Sequence, residues 1–433
     1  MTENKIIQDL LQSVKLSKGF YAWMTFLTIS LFVCLYAYYL QLTTGLGVTG
    51  LRDYISWGLY IANFVFFVAS SLVGMLISSI LGLSGQKWIT PIVRIAEIIA
   101  VAFAAVAGLV IVSDMGRPEK LANVFLYGRF QSPILWDVTV VTTYVIISLL
   151  LFYTPLIPDL TIAYKNRTDL PKWQKGLYKI LSLNWVGNLE QVQLQKKAIG
   201  ILLVLVIPVA MAIHTVTSWL FAVTPRSGWS STILGPYFVT GAFVTGVASV
   251  IIAMYIFQKI YSLKEYIYDI HFDKMGKLLV LVCLIYLYFN INEFLIPGYR
   301  MPKHEAAHLH SLFSGSHSIM FWFVQIVGLI LPIILLIFKP FRKPFPITLI
   351  AIIVFIGAWF KRYLIVISPQ EHPFLPIQNV PENFTYYVPT ITEIAITIAS
   401  FVLVLMIISV LSKVFPIIPI HETLTERNKQ NEK

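Results

Sequence analysis

The stretch Trp88–Ser113, WITPIVRIAEIIAVAFAAVAGLVIVS, decides the fold class of this chain. A helix of about 20 consecutive apolar residues is long enough to cross the hydrocarbon core of a bilayer. Only Arg94 and Glu97 carry charge in this stretch. A transmembrane β-strand would alternate apolar and polar residues instead. The stretch therefore predicts a membrane-spanning α-helix.

Nine further runs of this kind occur along the 433 residues, of which 57% are hydrophobic and 12% charged. Soluble domains carry about 25% charged residues, and no connection between the runs is long enough for one. We predict an all-α, polytopic integral membrane protein with ten transmembrane helices, in which residues 1–433 form a single membrane domain. The predicted spans are Gly19–Leu42, Trp57–Leu81, Trp88–Ser113, Ile134–Leu156, Ala198–Val223, Pro236–Phe257, Met275–Leu295, His317–Ile337, Pro346–Val366 and Pro389–Leu411.

The distribution of basic residues predicts the orientation. Of the 32 Lys and Arg residues, 22 lie in the tails and in the loops on the side of the N-terminus, and 7 lie in the opposite loops. Cytoplasmic loops carry the excess of basic residues, so we predict a multi-pass protein of the cell (plasma or inner) membrane with both termini cytoplasmic. The net charge of +11 then reflects orientation and attraction to membrane lipid, and we predict no nucleic-acid partner.

The cysteine and histidine content argues against redox metal groups in this chain. Two cysteines, Cys34 and Cys283, cannot supply the four ligands that an iron–sulfur cluster usually takes. Membrane haem needs paired axial histidines at similar depth, and only His214 and His317 lie within predicted spans. We therefore predict no haem, no iron–sulfur cluster and no other metal in this chain.

Two motif matches lack the structural context that their chemistry requires. Gly45–Gly50 matches the dinucleotide fingerprint, but it lies in a loop between spans rather than in a βαβ unit. His304–His308 matches the HExxH zinc-protease pattern, but it follows Pro302 in an external loop. A surface histidine cluster, at a subunit interface for example, is the favoured interpretation over a protease.

Ionisable side chains inside the spans are costly and mark candidate functional sites. Most of those in this chain fall in the half of the membrane away from the chain ends, and Tyr60 and Asn63 join them on one helix face. This distribution predicts a polar site open toward the outer leaflet. The ionisable members are Asp114, Asp137, His214, Glu293, His317, Lys361, Arg362 and Glu393.

Helix capping and snorkelling are the alternative explanation for charges near helix ends, above all for Glu393 and His317. The half of the membrane near the chain ends holds one acid–base pair, Arg94 and Glu97, with i,i+3 spacing. That pair predicts either the start of a proton route or a closed ion pair.

Six strings together resemble the NrfD/polysulfide reductase membrane-subunit family, and the likeness extends over most of the chain. The ten spans are similar to its longer branch, which includes the ActC, HybB and DsrP subunits. The strings are Trp57–Phe64, Asp114–Glu119, Ser132–Asp137, His214–Trp219, Gly228–Thr232 and Pro236–Phe238.

The resemblance implies an architecture and a function. It implies two four-helix bundles packed together, with further helices at the periphery. It also implies a membrane anchor subunit of a multi-subunit respiratory oxidoreductase, which exchanges electrons and protons with a quinone (menaquinone or similar) near the outer face. A ferredoxin-like iron–sulfur subunit would dock on that face, with a molybdopterin-type or other catalytic subunit beyond it. Whether this chain itself counts as an enzyme stays open.

A quinone site needs groups that carry protons to and from the two carbonyl oxygens. A histidine and a carboxylate can do this, and His214 and Asp114 are the predicted catalytic pair. The predicted quinone-binding residues are Arg117, Tyr60, Asn63 and Asp137. The predicted proton path comprises Arg94, Glu97, Glu293, Lys361 and Arg362.

A secondary transporter is the rival interpretation. Ten spans with buried charges fit that class, but transporter sites usually lie near the midplane on broken helices. The charges of this chain gather near one face instead. Solute transport by the isolated chain would favour the transporter, and co-purification with an iron–sulfur subunit would favour the quinone site.

Overall fold

The computed structural model describes residues 3–167, 170–373 and 379–431. Ten helices in it are long and apolar enough to cross a membrane, and no β-strand occurs among the described residues. The prediction of an all-helical polytopic protein with ten spans is therefore confirmed. We label these helices α1 (Lys18–Thr44), α2 (Leu59–Leu83), α3 (Thr90–Asp114), α4 (Pro133–Tyr153), α5 (Leu189–Ala222), α6 (Leu234–Ile260), α7 (Asp269–Arg300), α8 (Ser318–Ile337), α9 (Pro344–Ile367) and α10 (Ile391–Val414).

The helices extend beyond several predicted limits, most clearly at the start of α5. The sequence predicts that span to begin at Ala198, whereas the helix begins at Leu189. The additional turns are polar, so hydropathy does not detect them. The side chain of Asn188 caps the helix by accepting a hydrogen bond from Gln191 N at 2.8 Å, which fixes the start by local chemistry rather than by membrane thickness.

Eight of the ten helices form two four-helix bundles. In bundle A, α2 contacts α3 and α5, and α4 packs between those two; in bundle B, α6 contacts α7 and α9, and α8 packs between those two. Helix α2 also contacts α6 and α9 and so joins the bundles. The remaining helices, α1 and α10, pair with each other, and α10 lies against α3. The predicted architecture of two bundles with peripheral helices is confirmed.

Small residues allow α2 to pack closely on both sides. A Cβ atom on Gly74 would lie 2.0 Å from Ala96 O of α3, and one on Gly246 of α6 would lie 2.3 Å from Val73 Cβ of α2. Such approaches are typical of helix packing in membranes, where van der Waals contact replaces the hydrophobic drive. Helix α2 is accordingly almost fully buried, whereas α1 is largely exposed.

Both described ends of the chain lie on one face, which we call the terminal face. The helix Glu3–Gln12 contacts the helix Ile420–Asn431 there, as ten alternating spans require. The opposite side is the far face. The sequence predicts that the terminal face is cytoplasmic, and this assignment stays a prediction.

Candidate functional site

At the far end of bundle A, Tyr60 is tied to the last turn of α3. Its hydroxyl donates to Gln41 Oε1 at 2.6 Å, and Gln41 Nε2 donates to Ser113 O at 2.6 Å. Asp114 follows directly, and its buried Oδ1 atom has no hydrogen-bond partner among the described residues. Asp114 and Glu393 both lie close enough to Tyr60 to act on it electrostatically. One carboxylate oxygen of Asp114 is thus left without a hydrogen bond within the described ranges. We call the site formed by Tyr60, Gln41 and Asp114 the polar corner.

Backbone contacts at the start of α2 hold Tyr60 in this corner. Gln370 pairs with both backbone groups of Trp57, because its Oε1 accepts from Trp57 N at 3.0 Å and its Nε2 donates to Trp57 O at 2.6 Å. Leu59 N donates to Tyr387 Oη at 2.9 Å. A Cβ atom on Gly58 would lie 2.6 Å from the same oxygen, so only glycine fits there.

Glu393 is a fully bonded structural acid. Its Oε2 atom accepts hydrogen bonds from Gly50 N at 2.8 Å and Thr390 N at 2.9 Å, and its Oε1 accepts from the Tyr387 hydroxyl at 2.6 Å. Thr390 and Glu393 form a capping box at the start of α10. Burial and the neighbouring carboxylate raise the pKa of Tyr387 well above its usual range, so it stays a hydrogen-bond donor. The helix-capping explanation therefore applies to Glu393. Gly50 anchors its loop by donating its backbone N–H to Glu393.

A second polar group lies deeper between α4 and α5. Thr217 Oγ1 lies 2.5 Å from Asp137 Oδ1, and both residues are buried. His214 is one turn deeper on α5 and is also buried. Its Nε2 atom has no hydrogen-bond partner in the described part of the chain. Arg362 of α9 acts on this imidazole electrostatically, so a cation of bundle B influences a side chain of bundle A.

Arg362 lies at the junction of the two bundles. A Cβ atom on Gly241 would lie 2.7 Å from one of its terminal nitrogens, and its guanidinium stacks 5.7 Å from the centre of the Phe238 ring. No carboxylate among the described residues forms an ion pair with it. A buried cation without an acid is costly, which makes Arg362 a candidate for contact with a ligand or a transferred charge.

The structure brings only some of the predicted quinone-site residues together. No hydrogen bond joins Asp114 to His214 among the described residues. The amide of Asn63 is already used, because Nδ2 donates to Thr397 Oγ1 and Oδ1 accepts from Trp359 Nε1, both at 2.8 Å. Arg117 is exposed and, within the described ranges, forms no ion pair with Asp114. The roles assigned to these residues stay predictions.

In bundle B the corresponding polar residues are paired. Lys361 Nζ lies 3.2 Å from Glu293 Oε2, and the ammonium lies 4.8 Å from the Phe294 ring centre. The hydroxyl of Tyr286 donates to that of Tyr237 at 3.1 Å, and Tyr237 donates to Asn290 Oδ1 at 2.9 Å.

Gln325 completes this chain from an irregular part of α8. Asn290 Nδ2 donates to Gln325 Oε1 at 2.5 Å. Gln325 belongs to a π-helical segment, Phe323–Ile330, of a kind often found at functional sites. A Cβ atom on Gly357 of α9 would lie 2.8 Å from Gly328 Cα, so the two helices nearly touch there.

Near the terminal face, the predicted Arg94–Glu97 pair is confirmed as part of a larger network. Arg94 Nε lies 3.6 Å from Glu97 Oε2, and a terminal nitrogen of Arg94 lies 3.2 Å from Asp159 Oδ2. Asp159 Oδ1 accepts from His421 N at 2.8 Å. All three charged side chains are almost completely buried. Asp159 lies in a stretch that hydropathy assigns to a loop, which is why the sequence did not connect it with Arg94.

The histidine pattern at the far face is only partly a surface cluster. His308 lies on the helix Lys303–Phe313 and is buried, so the prediction of a surface cluster is wrong for this residue. Burial lowers its pKa to about 3, and neither ring nitrogen has a partner among the described residues. His317 instead pairs with Glu371, at 2.7 Å. Over the described ranges no three His, Cys, Asp or Glu side chains are grouped to hold a metal ion.

Named relatives of this chain are membrane subunits of reductases. It is 26% identical to a putative dimethyl sulfoxide reductase membrane subunit of Halobacterium salinarum, over 87% of this chain and 86% of the relative. It is 25% identical to a selenate reductase subunit of Mesobacillus selenatarsenatis, over 93% and 95%. A shorter match, 31% identical over 34% of this chain and 35% of the relative, is to the menaquinone reductase integral membrane subunit of Nitratidesulfovibrio vulgaris.

The family match follows the architecture. The model of the family described as "Polysulphide reductase, NrfD" matches residues 47–373. That range contains all eight helices of bundles A and B and excludes α1 and α10. Since the match covers well over half of a multi-pass helical membrane protein, the chain belongs to the NrfD, polysulphide reductase, family.

Proposed function

We propose that this chain is the quinone-interacting membrane anchor subunit of a multi-subunit oxidoreductase. It exchanges electrons between the membrane quinone pool and an iron–sulfur partner on the far face. One observation carries the proposal: in the far half of bundle A, Asp114 Oδ1 and His214 Nε2 are polar atoms without partners among the described residues. Membrane proteins seldom leave such atoms unsatisfied. The names of the relatives, three reductase subunits of which one belongs to a menaquinone reductase, support it.

These residues fit a quinone headgroup by their chemistry. Menaquinone or a similar quinone supplies two carbonyl oxygens whose protonation accompanies electron transfer. Asp114 can hold or release a proton at Oδ1, and Tyr60, fixed by Gln41, keeps the corner polar. His214 can donate or accept at Nε2, depending on its tautomer. Asp137 is a second acid at the entrance to the His214 region.

The proposal includes proton translocation along a route through buried charges. Arg362, on α9 of bundle B, acts electrostatically on His214 of bundle A. Lys361, the preceding residue of α9, pairs with Glu293 of α7. Arg94 and Glu97 are the corresponding group near the terminal face. Arg362 is packed without an acidic partner among the described residues, whereas the other four side chains lie in ion pairs. A proton would therefore have to pass by exchange within those pairs.

The far face offers an apolar docking surface beside Asp114. The connection 113–133 exposes four large apolar side chains, and the most exposed is Phe130, at 86%. Exposed apolar patches of this kind mark sites of protein–protein contact. We propose that a ferredoxin-like iron–sulfur subunit docks here and that a molybdopterin-type or other catalytic subunit lies beyond it. The four side chains are Phe125, Leu126, Tyr127 and Phe130.

Site-specific crosslinking tests this arrangement in the assembled complex. A photoreactive residue at Phe130 should capture an iron–sulfur subunit. The matched control is Trp173, an exposed aromatic residue on the terminal-face helix Lys172–Leu181. Capture of that subunit from position 173 and not from position 130 would place the partner on the wrong face and defeat the proposal.

Orientation has its own test. A reporter fused after Lys433, which lies outside the described residues, should be active only in the cytoplasm, because 22 basic residues lie on the terminal side. A reporter active only outside the cell would invert every assignment of depth.

A further inference from the structure

Five helices line a large, partly open cavity in the half of the protein that faces the chain ends. Its volume is about 720 Å³, within the range of small-molecule sites in proteins. Residues of α1, α3, α6, α9 and α10 line it, and most of the wall is aliphatic or aromatic. Among the described residues, no Asp, Glu or His belongs to that lining. The wall is therefore suited to a hydrocarbon chain.

The deep end of the cavity stops at packed aromatic rings. Phe355 and Phe401 line the cavity and also contact rings of α2. The ring centres of Phe66 and Phe355 are 4.8 Å apart, and those of Phe67 and Phe401 are 5.0 Å apart. Asn63 and its partner Thr397 lie about one turn farther toward the far face on their helices. The cavity is thus a separate site from the polar corner at Asp114.

Lys413, the one cation among the described lining residues, marks the shallow end of the cavity. Lys413 is buried, and its Nζ donates to Ser13 O at 2.9 Å and to Lys15 O at 3.0 Å. The ammonium also lies 4.5 Å from the centre of the Tyr261 ring. An ammonium group has three N–H donors, and in the described part of the chain no further acceptor takes the third. Lys413 therefore presents a fixed, incompletely satisfied positive charge at the mouth of an apolar cavity.

The surroundings favour an anionic headgroup over a quinone. Lys18 lies between two residues of the lining, Ser17 and Gly19. The terminal face is the side predicted to meet the cytoplasmic leaflet, where anionic lipids attract basic segments. A redox-active quinone would need a carboxylate or imidazole to exchange protons, and this lining offers neither. The charge of the site is therefore complementary to a phosphate group above an acyl chain.

We propose that this cavity binds one anionic phospholipid, with its phosphate group against Lys413 and an acyl chain between α1, α6 and α10. The lipid would fill the space between bundle B and the peripheral pair of helices. This site is independent of the quinone chemistry at the far face.

Native mass spectrometry of the purified complex tests the proposal by lipid titration. Phosphatidylglycerol should bind at least tenfold more tightly than phosphatidylcholine with identical chains. Lys413→Met should abolish this preference. Ala253→Trp should weaken binding of both lipids tenfold or more, because Ala253 lines the cavity and the indole would occupy it. Lys259→Met is the matched control, since it removes an exposed cation of the same face that does not line the cavity, and it should change nothing.

Several outcomes would overturn the proposal. Equal affinity for the two lipids in the unmodified protein would show that the site does not recognise an anionic headgroup. The same lipid preference in Lys413→Met and Lys259→Met would show that Lys413 does not select the headgroup. Binding of glycerol 3-phosphate alone as tightly as the lipid would indicate a free anion site, and competition by a short-chain menaquinone would indicate a quinone. Ala253→Trp leaves the bonds of Lys413 intact, so it stays informative if Lys413→Met fails to fold.

Discussion

The far halves of bundles A and B contain similar kinds of side chains in opposite states. In bundle A, Asp114 and His214 each keep a buried polar atom without a partner among the described residues. In bundle B, Lys361 and Glu293 form an ion pair, and Tyr237 belongs to a chain of hydrogen bonds that reaches α8. Bundle A thus keeps polar atoms that could bind a ligand, whereas these side chains of bundle B are bonded to one another. The four helices of each bundle nevertheless cross the membrane in the same order of directions.

The difference indicates where a ligand is needed. A buried polar group without a partner costs free energy, so bundle A would gain by satisfying its open atoms with a ligand. Among the described residues of the four helices of bundle B, Arg362 alone keeps a buried polar atom without a partner, and Arg362 acts electrostatically on His214 of bundle A. The unpartnered His308 lies outside these helices, on the connection between α7 and α8. The proposed function accordingly places ligand chemistry in bundle A and support or proton exchange in bundle B.

The largest effect is expected in bundle A. Asp114→Asn and His214→Ala should each lower quinone-coupled turnover per assembled complex by about 10²-fold or more, the usual contribution of a positioned acid or base. Assembly should survive Asp114→Asn, because asparagine keeps the shape of aspartate. Electron transfer from an artificial donor to the clusters of the partner should be unchanged. If the two residues only pack helices, abundance would fall while turnover per complex stayed normal, and the contrast between the bundles would lose its meaning.

In bundle B the expected effect is on stability. Lys361→Met should lower the free energy of unfolding by about 2 kcal/mol, in the upper part of the range for single substitutions, because it leaves Glu293 buried without its cation. The double variant Lys361→Met/Glu293→Gln should recover most of this loss, as measured by thermal unfolding of the detergent-purified protein. A single variant as stable as the unmodified protein would show that the pair is not the closed contact described above.

A smaller loss is expected at the start of α2. Tyr387→Phe should cost about 1.5 kcal/mol, because it removes two hydrogen bonds with a net value of about 0.5–1 kcal/mol each, one from Leu59 N and one to Glu393. The thermal midpoint should fall while quinone-coupled turnover per complex stays within twofold. A large loss of turnover at normal stability would extend the proposed quinone site of bundle A to this loop.

The smallest effect is expected at Arg117. Arg117→Gln should raise the KM for the quinone substrate, in whichever redox state it enters, by about two- to fivefold, because an exposed charge contributes about 1 kcal/mol or less. The matched control is Arg129→Gln, an exposed arginine of the same loop, which should leave the KM unchanged. The same rise in both variants would show that the loop acts only through its overall charge.

Hydropathy was sufficient to predict the ten spans, because the bilayer requires long apolar runs whatever their packing. The resemblance to a known family supplied the two-bundle arrangement. Helix ends were less predictable where local caps decide them, as at Asn188 before α5. Charged candidate residues were recognisable because charge is rare inside spans.

Uncharged hydrogen-bonding residues were not recognised, because they do not stand out in the sequence as charges inside spans do. Gln41, Gln370 and Gln325 each make hydrogen bonds between helices or to a helix end, but nothing in the sequence distinguishes such amides from exposed ones. The sequence also could not show that Asp114 and His214 form no hydrogen bond with each other. Depth along a helix does not determine which neighbour a side chain faces. That depends on helix rotation, which the packing around α2 sets.

Photoaffinity labelling with a reactive menaquinone analogue tests the central claim most directly. The assembled complex would be labelled in native membranes, and the modified residues would be identified by mass spectrometry, with unmodified menaquinone as competitor. The account predicts competitor-sensitive labels at the far ends of α3 and α5, close to Asp114 and His214. Labels confined to α7 and α9 of bundle B, or to the cavity beside Lys413, would contradict it.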